Sequence, residues 1–100
     1  MTLHPMKLVT IVTEAHAREP LLRLLTEVGA HGYTLQLVEG SGSQGDRTAD
    51  MPESANIDLK VIVSPETAER LMTRLHEGFF ARYAMVAYES DVRVLRPGKF

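Results

Sequence analysis

Residues Lys7 to Thr13, read Lys-Leu-Val-Thr-Ile-Val-Thr, form an almost continuous run of β-branched and apolar side chains. Such a run reads as a central strand buried on two faces, not as a surface strand with one wet side. Leu8, Ile11 and Val9, Val12 leave neither side of it polar. A chain of 100 residues builds one core, and a small one. This strand therefore asks for more cover than a short chain readily supplies.

Taken in order, the rest of the chain supplies cover for one side. Leu21, Leu24, Leu25 and Val28 recur at helical spacing, so a helix is expected from about Ala17–Pro20 to a stop at Gly29. Pro20 is acceptable there only as a first-turn residue. Tyr33 to Val38 alternates and predicts a second strand. Ile57, Leu59, Val61 and Val63 alternate across Asn56 to Val63, a third. Ser64-Pro65-Glu66 is a helix start, with a serine cap, proline in the first position and an acid in the first turn. Ala68, Leu71, Met72, Leu75 and Phe79 give that helix its apolar stripe. Gly78 is placed to end or bend it. Tyr83 to Tyr88 predicts a fourth strand, and Val92 to Leu95 a short fifth. The order is β-α-β-β-α-β, a ferredoxin-like α+β sandwich: an antiparallel sheet with two helices on one face. The other face stays apolar and uncovered. A homo-oligomer with packed sheets is expected, dimer or trimer.

The stretch Gly29 to Gly45 carries the functional signal. Gly29 and Gly32 bracket a turn, and the strand that follows runs into Gly40, Gly42 and Gly45, with Ser41, Ser43 and Gln44 between them. Glycines let backbone N–H groups approach an anion closely. Glu39 to Ala55 is then a long polar link between the second and third strands. Links longer than about 12–15 residues are usually functional or disordered, so mobility and ordering on binding are expected here, a floppy hairpin insertion being the plainer alternative.

Composition removes several classes. A net charge of −2 argues against coating nucleic acid. The absence of cysteine excludes disulfides, thiolate metal sites and a cysteine nucleophile, and fits a cytoplasmic location. No stretch approaches the roughly 20 apolar residues of a membrane span, and Met1 to Met6 lacks a signal-peptide core. His4, His16, His31 and His76 show no metal-ligand spacing. No Ser/His/Asp arrangement suggests a nucleophilic enzyme.

Gly32-x-Thr34 followed by Gly40-x-Gly42-x-Gln44 resembles the segment of the PII signalling proteins that leads into their long T-loop. Lys7-Leu8-Val9, Ile11-Val12-Thr13-Glu14, Gly29-Ala30-x-Gly32-Tyr33-Thr34, Gly40-x-Gly42-Ser43 and Ala55-Asn56-Ile57 are similar to the branch associated with bicarbonate transport and carboxysomes, the SbtB-like group. The resemblance implies a single PII-like domain over residues 1–100, a homotrimer, and adenine nucleotides bound in clefts between subunits. It implies an adenine contact at Thr34 and a nucleotide-lining loop at Gly40, Ser41, Gly42, Ser43 and Gln44. In nitrogen-signalling PII, the glutamine matching Gln44 helps bind magnesium and 2-oxoglutarate with ATP.

The departures redirect the ligand expectation. The phosphate-binding B-loop of nitrogen-signalling PII, with its glycines and lysine, is replaced by Gly78-Phe79-Phe80-Ala81-Arg82. The T-loop tyrosine that accepts a nucleotidyl group is absent, and so is a cysteine-bracketed tail. Arg47, Arg93, Arg96 and Lys99 remain as candidate phosphate contacts. A charged hydrogen bond is worth about 1.5–3 kcal/mol, so ADP or AMP is expected ahead of ATP or cyclic AMP, at roughly micromolar affinity. The branch implies bicarbonate as a second ligand, placed at Gly45 and Arg47. It also implies a bicarbonate transporter or carboxysome-associated protein as partner. No metal cofactor, nucleic acid or membrane insertion is expected. Plainer readings stand beside these: Thr34 as a strand threonine, Arg47 as a solvated loop charge, and Arg93, Arg96 and Lys99 as edge protection. Tyr33, Tyr83, Tyr88 and Phe79-Phe80 read most simply as packing or interface residues. A slow nucleotide-hydrolysing enzyme and a metal-binding ferredoxin-like trimer are the alternative functions.

Overall fold

The computed structural model describes residues 1–42, 45–47 and 55–100. Strand β1 is His4–Glu14, followed by a 3-10 turn at Ala15–Ala17 and helix α1 at Arg18–Val28. Strand β2 is Tyr33–Val38; two short strands, β3 Gly40–Gly42 and β4 Gly45–Arg47, follow it. Strand β5 is Asn56–Val63, helix α2 is Pro65–Gly78, and strand β6 is Val86–Val94, with a last 3-10 turn at Pro97–Lys99. The main sheet runs β2-β5-β1-β6, and every neighbouring pair is antiparallel. This is the expected ferredoxin-like α+β architecture.

Local chemistry explains most boundaries. Gly29 ends α1 with φ +82°, and its N–H, together with that of Ala30, caps the last turn through the carbonyls of Leu25 and Thr26. An L-residue rarely adopts that left-handed conformation, which is why glycine stands there. Ser64 Oγ accepts from the Thr67 backbone N–H at 3.1 Å and starts α2, with Pro65 in the first position. Pro5 lies inside β1 but pairs only with Arg93 of β6, because pairing to β5 begins at Lys7. Its missing N–H therefore interrupts no ladder on the other side.

Three expectations need correction. The fourth and fifth strands are one strand, Val86–Val94; Tyr83 to Met85 instead belongs to the turn before it. Tyr83 and Met85 are apolar because they pack on the core, and the run Glu89-Ser90-Asp91 is polar because β6 is an edge strand. The link after β2 is not wholly irregular, since β3 and β4 pair as a short hairpin. The faces of β1 also regroup. Strand alternation places Val9, Ile11 and Thr13 together and Leu8, Thr10 and Val12 on the opposite face.

The core lies between the sheet and the helices. Val9 and Ile11 meet Leu21, Leu24 and Leu25 of α1, Leu71 and Leu75 of α2, and Leu59 and Val61 of β5. The register carries this face outward to Leu35 on β2 and Ala87 on β6, which are only partly buried. Among the described residues, no helix lies on the opposite face. Leu8, Val12, Ile62 and Val92 are half-buried there, and Val86 and Tyr88 are 60% and 52% exposed. Among the described residues no helix is long and apolar enough to cross a membrane.

Candidate functional site

Thr34 stands exposed on β2, on the helix-free face of the sheet, directly across from Lys60 of β5. Lys60 is partly committed. Its Nζ donates to the two carboxylate oxygens of Asp58 at 2.8 and 2.9 Å. Asp58 in turn lies across from Gln36. One edge of the open face thus carries four polar side chains, Thr34, Gln36, Asp58 and Lys60, beside the apolar Leu8, Val12 and Ile62. The Asp58-x-Lys60 alternation within an apolar strand was the sequence signal for this patch, and sequence reasoning passed over it.

The glycine-rich segment is organised as backbone. Gly40 lies across from Arg47, Ser41 from Asp46, and Gly42 from Gly45. The expected nucleotide residues Gly40, Ser41 and Gly42 are therefore brought against the expected bicarbonate residues Gly45 and Arg47. The hairpin ladder engages part of a backbone that was expected to be bare. Ser43 and Gln44 lie outside the described residues.

Arg93, Arg96 and Lys99 are not brought to this place. Arg93 lies on β6 opposite Pro5, Arg96 is exposed beyond the strand end, and Lys99 ends the last 3-10 turn. β6 and β2 are opposite edges of the sheet. Three strand spacings, about 14 Å, separate them before any displacement along the strands is added. Register adds to this separation: Thr34 lies in the row of Lys60, Thr10 and Tyr88, whereas Arg93 is five residues further along β6 and on the opposite face of the sheet.

The segment Gly78 to Met85 adopts a tight turn. Phe79 and Phe80 N–H groups donate to the Leu75 carbonyl, and Arg82 and Tyr83 N–H groups donate to the Phe79 carbonyl. Phe79 and Tyr83 are partly buried against the core, whereas Phe80 and Arg82 face solvent. The Ala84 backbone is held from β1: its N–H donates to Glu14 Oε1 at 2.5 Å, and its carbonyl accepts from Thr13 Oγ1 at 3.1 Å. Sequence reasoning used Thr13 and Glu14 only as part of a motif and assigned them no task.

A groove of about 270 Å³ lies between the helices, lined by Glu27, Val28, Glu69, Arg70, Thr73 and Arg74. None of the expected site residues lines it. Arg70 donates to the Val28 carbonyl at 3.0 Å and Arg74 pairs with Glu27, so its cations serve helix packing. Among the described residues, no three His, Asp or Glu side chains gather as a metal site would require.

The sequence matches the family described as nitrogen regulatory protein P-II over residues 6–99. The chain belongs to the PII family. Solved structures agree with that assignment. A candidate PII-like signalling protein from Thermus thermophilus is 44% identical, with a TM-score of 0.87, covering 100% of this chain and 99% of that one. CPII, a nitrogen regulatory PII-like protein from Thiomonas intermedia, was solved bound to ADP, AMP and bicarbonate. It is 29% identical with a TM-score of 0.91, over 99% of this chain and 96% of that one. A second CPII structure, bound to ADP and bicarbonate, is 30% identical with a TM-score of 0.90, over 99% and 97%. PII-family proteins are generally signalling proteins without enzymatic activity, typically trimers that bind adenine nucleotides. This PII-family chain is thus a PII-like regulatory protein.

Proposed function

We propose that residues 1–100 form a single PII-like domain acting as a non-catalytic cytoplasmic sensor, which binds ADP or AMP between the subunits of a homotrimer together with bicarbonate. The observation that carries this reading is the likeness, across nearly the whole of both chains, to CPII in complex with ADP, AMP and bicarbonate. Thr34 supplies the adenine contact. Gly40, Ser41, Gly42, Ser43 and Gln44 line the nucleotide, and Gly45 and Arg47 meet bicarbonate. The separation of Thr34 from Arg93, Arg96 and Lys99 within one chain supports a cleft between subunits, where one copy brings Thr34 and its neighbour the cations. The segment from Glu39 to Ala55 is the output element, and its ordered form is favoured by bound ligand. Its reader is a bicarbonate transporter or a carboxysome-associated protein, the kind of partner implied by the resemblance of its motifs to the SbtB-like branch.

Thermal unfolding with AMP, ADP, ATP and cyclic AMP, each with and without bicarbonate, tests this reading. A ligand that binds only the folded state adds about 2.7 kcal/mol at a hundredfold excess over Kd. In a domain of this size that shift is about 10 °C or more. The expected result is a shift with ADP or AMP that bicarbonate deepens and Thr34→Ala reduces. No shift with any adenine nucleotide would overturn the proposal.

A further inference from the structure

The register of β1 with β6 has its last pair at Val12 and Val86. Two residues further on, Glu14 and Ala84 stand where the next pair of the same kind would form. The backbone ladder does not continue there. The side chains of Thr13 and Glu14 take the two polar backbone groups of Ala84 instead. A strand pair has thus been exchanged for a two-part side-chain latch, whose halves single substitutions can remove separately.

Glu14 belongs to a second contact through its own backbone. It pairs with Asn56, the first residue of β5, and the next N–H, from Ala15, donates to the Ala55 carbonyl at 2.8 Å. Ala55 is where the chain re-enters the sheet from the 39–55 segment. The side chain of Glu14 thus holds the turn before β6, while its main chain and that of Ala15 meet Asn56 and Ala55, where that segment returns to the sheet. The carboxylate is only 17% exposed, and its second oxygen lies 3.3 Å from His16 Nε2. The His16 ring packs on Tyr83 at 5.4 Å, and Tyr83 on Phe79 at 5.8 Å, so the turn is braced from the same point. A mostly buried carboxylate that accepts a backbone N–H makes a stronger, more directional bond than a neutral acceptor does.

We propose that Glu14 is a positioning residue that locks the turn at Phe79–Met85 to the base of the 39–55 segment, so that adenine-nucleotide affinity depends on this junction. The inference rests on the nucleotide-binding reading above. Glu14 touches no nucleotide in this scheme. It sets the spacing between the turn before β6 and the point where the segment that follows the proposed nucleotide-lining residues returns to the sheet.

The test uses the full chain with Glu14→Ala and Glu14→Gln. Amide exchange is followed without ligand, and ADP binding is followed by calorimetry. Glu14→Ala is expected to speed exchange at Ala84 and at Ala15, with the amides of α1 and α2 unchanged. ADP affinity is expected to fall about tenfold, the equivalent of one lost polar contact. Glu14→Gln retains an acceptor oxygen for the Ala84 N–H and is expected to restore affinity to within about threefold. Unchanged ADP affinity in Glu14→Ala, or equal losses in the two variants, would overturn the positioning role. Faster exchange confined to Ala84 would overturn the junction. If the wild-type chain bound no adenine nucleotide, the functional reading would fail, and the junction itself would be decided by exchange at Ala84 and Ala15 alone.

Discussion

The two faces of β1 carry similar side chains and meet opposite circumstances. Val9 and Ile11 are fully enclosed by two helices, whereas Leu8 and Val12, one step along the same strand, stay half-open beside the exposed Val86 and Tyr88. Residue type alone does not separate them. The helix-covered face is completed within one chain, and its cost of damage is local. The open face is apolar enough to want a partner and polar enough, at Thr34, Gln36, Asp58 and Lys60, to want a specific one. PII-family proteins are typically trimers, and that combination suits a face buried against further copies.

Substitutions on the two faces sharpen this contrast. Ile11→Ala opens a cavity in the enclosed core and is expected to cost about 2–5 kcal/mol in urea unfolding, independent of protein concentration. Leu8→Ala is expected to cost less, and its cost should depend on concentration if copies cover that face. Equal, concentration-independent losses would erase the distinction. Gly29→Ala disturbs the end of a covering helix. No atom obstructs the added methyl, so the loss of about 1–2 kcal/mol comes from the left-handed backbone alone. Val86→Asp on the open face is expected to change the stability of the isolated chain by no more than about 0.5 kcal/mol. Sedimentation should nevertheless show smaller species, and unchanged assembly would count against the packed-sheet reading.

The smallest effect is expected at Lys7, on the edge of the covered face. Its Nζ donates to Asp91 at 2.6 Å, and that hydrogen bond, then the Asp91 charge, raises its pKa above the ordinary 10.5. A raised folded-state pKa means that the pair's contribution is complete below pH 10.5 and is lost as pH climbs through the raised value. Lys7→Met should lower neutral-pH stability only slightly, because the pair is exposed and screened. It should also flatten the decline at alkaline pH, as read by denaturation across pH.

β2 and β5 could be read from sequence to the residue, because alternation is strict and turn chemistry bounds each of them. The start of α2 was equally plain from Ser64-Pro65-Glu66, and the end of α1 from Gly29. β6 was misjudged because hydrophobicity reports burial, not pairing. Tyr83 and Met85 are apolar and lie in a turn on the core, while Glu89 and Asp91 are polar and lie in an edge strand. Of the candidate site, Thr34 and the glycines Gly40 and Gly42 were legible as motif. Lys60 beside Thr34, and the grip of Glu14 on Ala84, were not. Each depends on which strands become neighbours, and adjacent positions in space are distant in the chain.

The sequence by itself determined the two helices, β2, β5 and the family, since periodicity, caps and glycine positions act over a few residues. Only the tertiary structure decided which residues share a face, which edge carries Thr34 and which carries Arg93, and that the chain halts a ladder at Val12 to hold Ala84 with side chains. The physical reason is register. A shift of one residue between strands leaves every local propensity unchanged, yet it moves each side chain to the other face of the sheet.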